Sequence, residues 1–333
     1  MAETENFSQE VLDAVPSIDA VEPGLRAQCR LAALDDVSTL VFARQLETIS
    51  RRVVTIQYPE LKASRLIPTN TEAGPADEYL TFRVWDAAVM AKTIGWGSTD
   101  IPTVNATARE LTTKFFTVGD GFTVTQDDMR SANRAGLALV ERYMAAARRG
   151  IELAREEVAA VGSPEIGTYG LANHPNVPVK TLPNGDWANA ATTGEEIVAD
   201  LNYLVNQMAL DTNEILQVTD ILMPVAQYQI ASSKLINVGG IVGGMTALQL
   251  FKQMNPSVNV ESWNKLGTAG ADGGARIVAY KRSSDVLEFL SAVEFESMPV
   301  EYRQWQWYHT FRARFGGVAV YMPAGLSYAD NAD

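Results

Sequence analysis

The chain of 333 residues contains one cysteine, Cys29, and two histidines, His174 and His309. A lone thiol cannot close an internal disulfide, so no covalent crosslink staples the fold, and a reducing compartment suits it. The same scarcity leaves no Cys or His cluster for a zinc centre, and the motifs HExxH, CxxC and GxSxG are absent. Bases are outnumbered by acids, 27 to 40, for a net charge of −13. Proteins that grip nucleic acid show a basic patch or stripe. Here the basic doublets are Arg51-Arg52, Arg148-Arg149 and Lys281-Arg282, scattered along the chain, so sequence-specific DNA or RNA binding is not expected. No run approaches the ~18 apolar residues of a membrane span. The N-terminus has neither the basic nor the apolar region of a secretory signal, and no membrane partner is expected. No internal repeat recurs, which excludes a solenoid.

What is present is a hydrophobic content of 47%, enough for a packed core in about two domains. The first 22 residues carry six acids and no base, and read equally as a lacing arm or a solvated tail. Residues 37–52 place Leu40, Val41, Leu46 and Ile49 near helical spacing. Residues 67–77 are turn-rich and lead into the most informative segment.

Residues 79–118 read as one long extended hairpin. Leu80, Phe82 and Val84 alternate with Thr81 and Arg83, which is strand period. A turn-rich stretch, residues 95–102, precedes a second run of Thr, Leu, Phe and Val. An isolated two-stranded ribbon is marginal in water. This one therefore needs another surface, and a neighbouring copy of the chain supplies it. Assembly, not catalysis, is the function this pattern suggests.

After the ribbon, Thr125-Gln-Asp-Asp128 resembles a capping box with Asp in the last place, and Gly136 stops the short helix it begins. Residues 139–161 then predict a long helix, with Val140, Tyr143, Met144, Ala147, Ile151, Ala154, Val158 and Val161 on one stripe. Residues 162–193 are loop-like. Thr193-Gly-Glu-Glu196 opens a second capped helix. Strands are expected at 220–223, 258–263, 276–280 and 286–295, and helices at 224–235 and 246–254. The glycine-rich stretch 239–244 reads as a loop, and 305–314 and 316–323 as two final elements.

This order of parts, together with Phe42-Ala-Arg-Gln-Leu-Glu47, Arg65-Leu-Ile-Pro-Thr-Asn70, Tyr169-Gly-Leu-Ala-Asn-His-Pro-Asn-Val177 and Arg314-Phe-Gly-Gly-Val-Ala-Val-Tyr-Met-Pro323, resembles the major capsid proteins of tailed bacteriophages with the Hong Kong 97-type fold. The likeness runs from about Phe42 to Pro323. It implies an α+β fold with an N-terminal arm (1–60), an extended loop (61–118), a peripheral domain (119–211) with its spine helix, an axial domain (212–300) and a C-terminal return to the peripheral domain (301–333). It implies further that the chain assembles with itself into hexamers and pentamers, in the bacterial host cytoplasm, as an icosahedral shell around double-stranded DNA. Implied partners are a portal, a separate scaffold and decoration proteins. Too little precedes Phe42 for the large scaffolding segment of some members, so a separate scaffold or an already mature sequence is expected. Arg65, Arg83, Trp85, Lys92 and Trp96 are the expected inter-subunit contacts of the extended loop.

No enzyme, cofactor or metal reading gains support from the residues. His174 sits in a loop between Asn173 and Pro175, where a structural hydrogen bond is favoured, and His309 lies in an aromatic stretch suited to core or interface. The pairs Glu156-Glu157 and Glu195-Glu196 read as solvated helix faces. The glycines of 239–244 and 267–274 lack the signatures of phosphate loops. Some members of the fold crosslink subunits through a Lys–Asn isopeptide bond. Nothing around Lys92 marks it for that chemistry, and non-covalent assembly is expected. Two alternatives stay open: an encapsulin-type nanocompartment with the same fold, and a soluble α/β hydrolase.

Overall fold

A computed structural model of the protein describes residues 59–88, 105–238, 241–330 and 332. The expected arm and the helix at 37–52 lie outside them. The described chain is built on two mixed five-stranded sheets. The first joins Thr69–Asn70, Leu287–Ser297, Gln306–Val320 and Glu301–Arg303 in that order, with Phe116–Thr125 also paired to Gln306–Val320. The second runs Asn259–Ser262, Asp220–Met223, Ile277–Tyr280, Leu326–Ala329, Val179–Lys180. The stretch expected as one C-terminal return, 301–333, is thus divided between the two sheets. Leu287–Ser297, inside the stretch expected as axial, belongs to the first.

Several elements form where their local chemistry directs. Thr125 Oγ1 accepts the backbone N–H of Asp128 at 3.1 Å, and the helix Gln126–Ala135 ends at Gly136, whose φ of 67° is left-handed. Helix Gly194–Asp211 starts with the complete reciprocal box of Thr193 and Glu196. A second box, Thr246 with Gln249, opens Ala247–Met254. The long helix spans Leu139–Ala160, about 33 Å at 1.5 Å per residue. It lies on the first sheet, against Phe116–Thr125 and Gln306–Val320. Ala147, Ile151 and Val158 of the predicted stripe are buried, whereas Val140, Tyr143 and Met144 are exposed. Below the helix an aromatic layer forms, with Phe295 stacked on Phe311 at 5.1 Å and His309 against Phe311 at 4.4 Å.

Three expectations need correction. The expected hairpin 79–118 ends at Lys114. Phe116–Thr125 is a separate strand, because Phe115 turns inward to 4% exposure and resets the chain direction. The glycine-rich stretch is strand from Ile241 on: Ile241–Thr246 pairs antiparallel with Leu235–Val238, and the register slips between Val242 and Thr246, where glycines allow a bulge. The two elements expected at 305–314 and 316–323 are one strand, Gln306–Val320. Its partner register passes from Leu290↔Gly317 to Ser291↔Phe315, leaving Gly316 as the extra residue of a bulge. Gly317 takes φ 79°, and a Cβ at Gly316 would meet the Phe115 ring and Leu290 near 3.0 Å. Glycine is required at both for different reasons, conformation at one and space at the other.

The most consequential correction concerns Glu156. Its carboxylate is not on a solvated face but 2% exposed. It accepts the backbone N–H groups of Lys62 at 3.2 Å and Ala63 at 2.8 Å, and the indole N–H of Trp263 at 2.6 Å. Lys62 Nζ donates to the Ser262 carbonyl at 2.7 Å, and Tyr280 Oη donates to the Leu66 carbonyl at 2.8 Å. The short helix Ala63–Leu66 is therefore wedged between the long helix and the second sheet. A second joint lies just beyond the C-terminal end of the long helix, where the N–H groups of Leu171 and Ala172 donate to the Ala159 and Ala160 carbonyls. Arg276 donates twice to Asp330, at 2.6 Å each, and again to the Ala172 carbonyl, with its guanidinium over the Tyr328 ring. Tyr328 Oη donates to the Leu171 carbonyl at 2.6 Å.

Replacing Glu156 by Ala would strand three donors in a buried joint. At ~1–3 kcal/mol per unsatisfied group, a loss of at least about 3 kcal/mol is expected in chemical denaturation. Glu152→Ala, on the exposed side of the same helix, should stay within about 0.5 kcal/mol. Equal effects of the two would mean that the joint is not stabilising.

Candidate assembly surface

The ribbon consists of Tyr79–Ala88 and Asn105–Lys114, paired antiparallel in continuous register from Tyr79↔Lys114 to Ala88↔Asn105. Each strand is about 33 Å long at 3.3 Å per residue. Neither strand extends another sheet among the described residues. Side chains alternate as the sequence predicts: Leu80, Phe82 and Val84 are half-buried, while Thr81, Arg83 and Trp85 are exposed.

The expectation that the ribbon has nothing of its own to pack against fails at its base. Leu80 and Phe82 pack on a small cluster of Ala73, Phe115, Leu290 and Ala319. Phe82 meets Tyr321 edge-on, with ring centroids 4.6 Å apart. Tyr321 Oη donates to Glu288 at 2.9 Å, and burial beside that carboxylate pushes the phenol's pKa up. The base is thus anchored by an apolar contact whose polar end is satisfied. On the opposite face the ribbon is held by its own cross-strand pairs, Thr81 with Thr112 at 3.0 Å and Arg83 with Glu110 at 2.9 Å. Trp85 has no such cover and is 71% exposed.

Of the residues expected at subunit contacts, Arg83 and Trp85 share this outward face. Arg65 is elsewhere: it lies on Ala63–Leu66 and pairs with Glu261 of the same chain at 2.5 Å. Lys92 and Trp96 lie outside the described residues. Sequence reasoning missed a second projecting aromatic. Trp305 is 73% exposed at the tip of the hairpin joining Glu301–Arg303 to Gln306–Val320. Gln304 and Trp305 both take positive φ, 49° and 67°, in a two-residue turn usually signalled by Asn-Gly. Without that signal the sequence shows no hairpin there.

The candidate chemical groups are structural. His174 Nδ1 accepts the Asn176 N–H at 3.4 Å, its ring meets Tyr169 edge-on, and burial lowers its pKa. His309 Nε2 shares a hydrogen bond with Ser297 Oγ at 2.7 Å. The Asp200 carboxylate, fully buried, accepts from Asn184, Gly185 and the Trp187 indole, and so fixes the loop before Gly194–Asp211. Lys234 Nζ donates to the carbonyls of Trp187, Asn189 and Thr192 from the other side. Among the described residues, no group of three or more His, Cys, Asp or Glu side chains could hold a metal ion, and no helix is long and apolar enough to cross a membrane.

The model of the family described as major capsid protein matches residues 90–331. The chain belongs to that family. Its role is therefore structural, as a component of multimeric capsid shells. No curated protein matches it. Among solved structures it is similar to the capsid of Myoviridae phage XM1, with a TM-score of 0.76, 18% identity, and coverage of 88% of this chain and 99% of that one. It is similar also to a chain of Mycobacterium phage Bobi, at 0.62 and 12%, covering 89% and 97%. A chain of Gordonia phage Cozz gives 0.57 and 15%, covering 85% and 90%. At these identities the likeness is one of fold. The capsid protein has the α+β, Hong Kong 97-type architecture expected from its sequence.

Two measurements follow from this surface. Phe82→Ala should destabilise the isolated subunit by about 2 kcal/mol, as a half-buried aromatic truncation, whereas Trp85→Ala should change it by less than about 0.5 kcal/mol. A large loss of subunit stability in Trp85→Ala would show that the outer ribbon packs on its own chain. For His174 the sign is fixed by burial. Its folded pKa lies below the ordinary 6.5, so its contribution to stability is complete above pH 6.5 and is lost as pH falls toward the folded value. Unfolding free energies between pH 5 and 7.5 should therefore rise with pH, and His174→Gln should flatten that slope.

Proposed function

We propose that this capsid protein builds an icosahedral shell, from hexamers and pentamers of itself, around the double-stranded DNA of a tailed phage. The observation that carries the reading is the two-stranded ribbon, packed at its base through Leu80 and Phe82 and exposing Trp85 beyond it. Each ribbon lies over a neighbouring copy, with Arg83 and Trp85, and by sequence Lys92 and Trp96, at the contact. Arg65 serves beside Glu261 at the foot of that contact. In this reading the chain divides into arm, extended loop, peripheral domain and axial domain, with Leu139–Ala160 as spine. Shells form in the host cytoplasm with a portal, a separate scaffold and decoration proteins. Contacts are non-covalent, and their strength comes from many modest repeats in a closed lattice.

The test is electron microscopy of the protein made with its phage partners, with the contents assayed. Closed particles filled with DNA are expected. Stable monomers under every assembly condition would overturn the shell, and particles filled with protein cargo would instead assign an encapsulin-type compartment. Mature particles boiled in detergent should run as a single band near 36.3 kDa. A ladder that collapses on Lys92→Ala would establish crosslinking through that residue.

A further inference from the structure

The chain contains one Asn-Gly pair, Asn184-Gly185, and both of its residues are held by the same buried carboxylate. Asp200, on helix Gly194–Asp211, is fully buried. Its Oδ1 accepts the backbone N–H and the carboxamide Nδ2 of Asn184, both at 3.0 Å. Its Oδ2 accepts the Gly185 N–H at 3.1 Å and the Trp187 indole N–H at 2.9 Å. Asn184 Nδ2 donates further to the Glu196 carbonyl at 3.3 Å. Gly185 takes φ 49°, in the left-handed region that glycine enters freely.

Asparagine before glycine is open to one particular reaction, because no Cβ shields the next backbone nitrogen. That nitrogen gives its proton to hydroxide and attacks Asn184 Cγ. The new N–Cγ bond closes a five-membered ring, the Cγ–Nδ2 bond breaks, and ammonia leaves with a proton from water. Water then opens the ring at either carbonyl, leaving aspartate or isoaspartate at 184. Asn184 is exposed, so water and hydroxide reach it. What stands in the way is Asp200. The proton that must leave Gly185 is bonded to a carboxylate, whose charge opposes the anion forming on that nitrogen. The leaving nitrogen is tethered to the same group. From the other side Lys234 Nζ, on the carbonyls of Trp187, Asn189 and Thr192, keeps the loop from pivoting away.

We propose that Asn184 is a latent deamidation site, closed in the folded subunit by Asp200 and opened only when the loop of residues 183–193 lifts off its helix. The conversion runs one way. Aspartate at 184 places a second carboxylate where Nδ2 now donates to Asp200, so repulsion replaces attraction beside a buried charge. Isoaspartate lengthens the backbone between 184 and 185, and the N–H groups no longer converge on Asp200. A loop that has reacted does not close as before, and the subunit keeps a permanent record of having opened. The inference is independent of what the shell encloses.

The test is incubation of the full-length protein in mildly alkaline buffer, native or in guanidinium chloride at the same pH and temperature. Isoaspartate at 184 is counted by peptide mapping and isoaspartyl methyltransferase labelling. With one charge-assisted hydrogen bond to break, native chains should convert at least about tenfold more slowly than denatured ones. Asp200→Asn, its fold checked by circular dichroism, should bring the native rate toward the denatured one. Glu195→Gln, at an exposed acid of the same helix, should leave it unchanged. Asn184→Asp, which installs the product, should lower the denaturation midpoint. Native conversion at the denatured rate, or faster, overturns the proposal; the faster rate would make Asp200 a general base. A folded Asp200→Asn as slow as the wild type also overturns it. Should that variant fail to fold, amide exchange of Gly185 in the wild type decides, and fast exchange overturns the bond on which protection depends. An unchanged midpoint in Asn184→Asp overturns the one-way step.

Discussion

One buried carboxylate sets the geometry on which the rest of the fold depends. Glu156 ties the first helical turn after residue 60, the long helix and the Trp263 indole into one joint. An ionised acid in an apolar interior is costly unless its acceptors are filled. Here three donors fill them, two from the backbone at a helix start, where the exposed N–H groups favour an anion. The angle between the long helix and the second sheet is thereby fixed by directional bonds, not by apolar contact alone. Arg276 adds a second joint close to the same end of the helix, with Asp330, the Ala172 carbonyl and the Tyr328 ring around one guanidinium.

Such rigidity matters for a protein that must repeat the same contact many times. A closed lattice tolerates little angular error, because each misplacement is inherited by the next copy. The design therefore separates two tasks. Directional polar joints hold the body, and the ribbon reaches out from it. The ribbon's base belongs energetically to the subunit, through Phe82, Tyr321 and Phe115, and its outer half presents Trp85 and Arg83. The boundary between the two falls within a few residues, near Val84.

Local signals in the sequence located much of this. Threonine caps at Thr125 and Thr193, the left-handed Gly136 and the alternating Leu80-Thr81-Phe82-Arg83-Val84 each encode their element within a few residues. The failures share a physical cause. Glu156 sits beside Glu157 on a helix rich in charge, and nothing near it in sequence reveals that Lys62 and Trp263 will arrive from opposite directions. The glycines at 316 and 317 read as a break between elements, because a bulge looks like a loop until the partner strand is known. Trp305 occupies a turn without turn residues, so its hairpin has no local signature. The predicted apolar stripe of the long helix was right in phase, yet Val140, Tyr143 and Met144 remain exposed, because sequence period gives direction and not depth.

The sequence by itself determined the main helices, several strands and their order along the chain, since these follow from periodicity and capping, which are local properties. It also determined that the ribbon is too long and too thin to stand alone. Tertiary structure decided where that ribbon becomes part of the body, which carboxylate is buried and how the final strands divide between two sheets. Each of these depends on residues far apart in the chain meeting in space, and no property of the separate segments fixes which of them will meet.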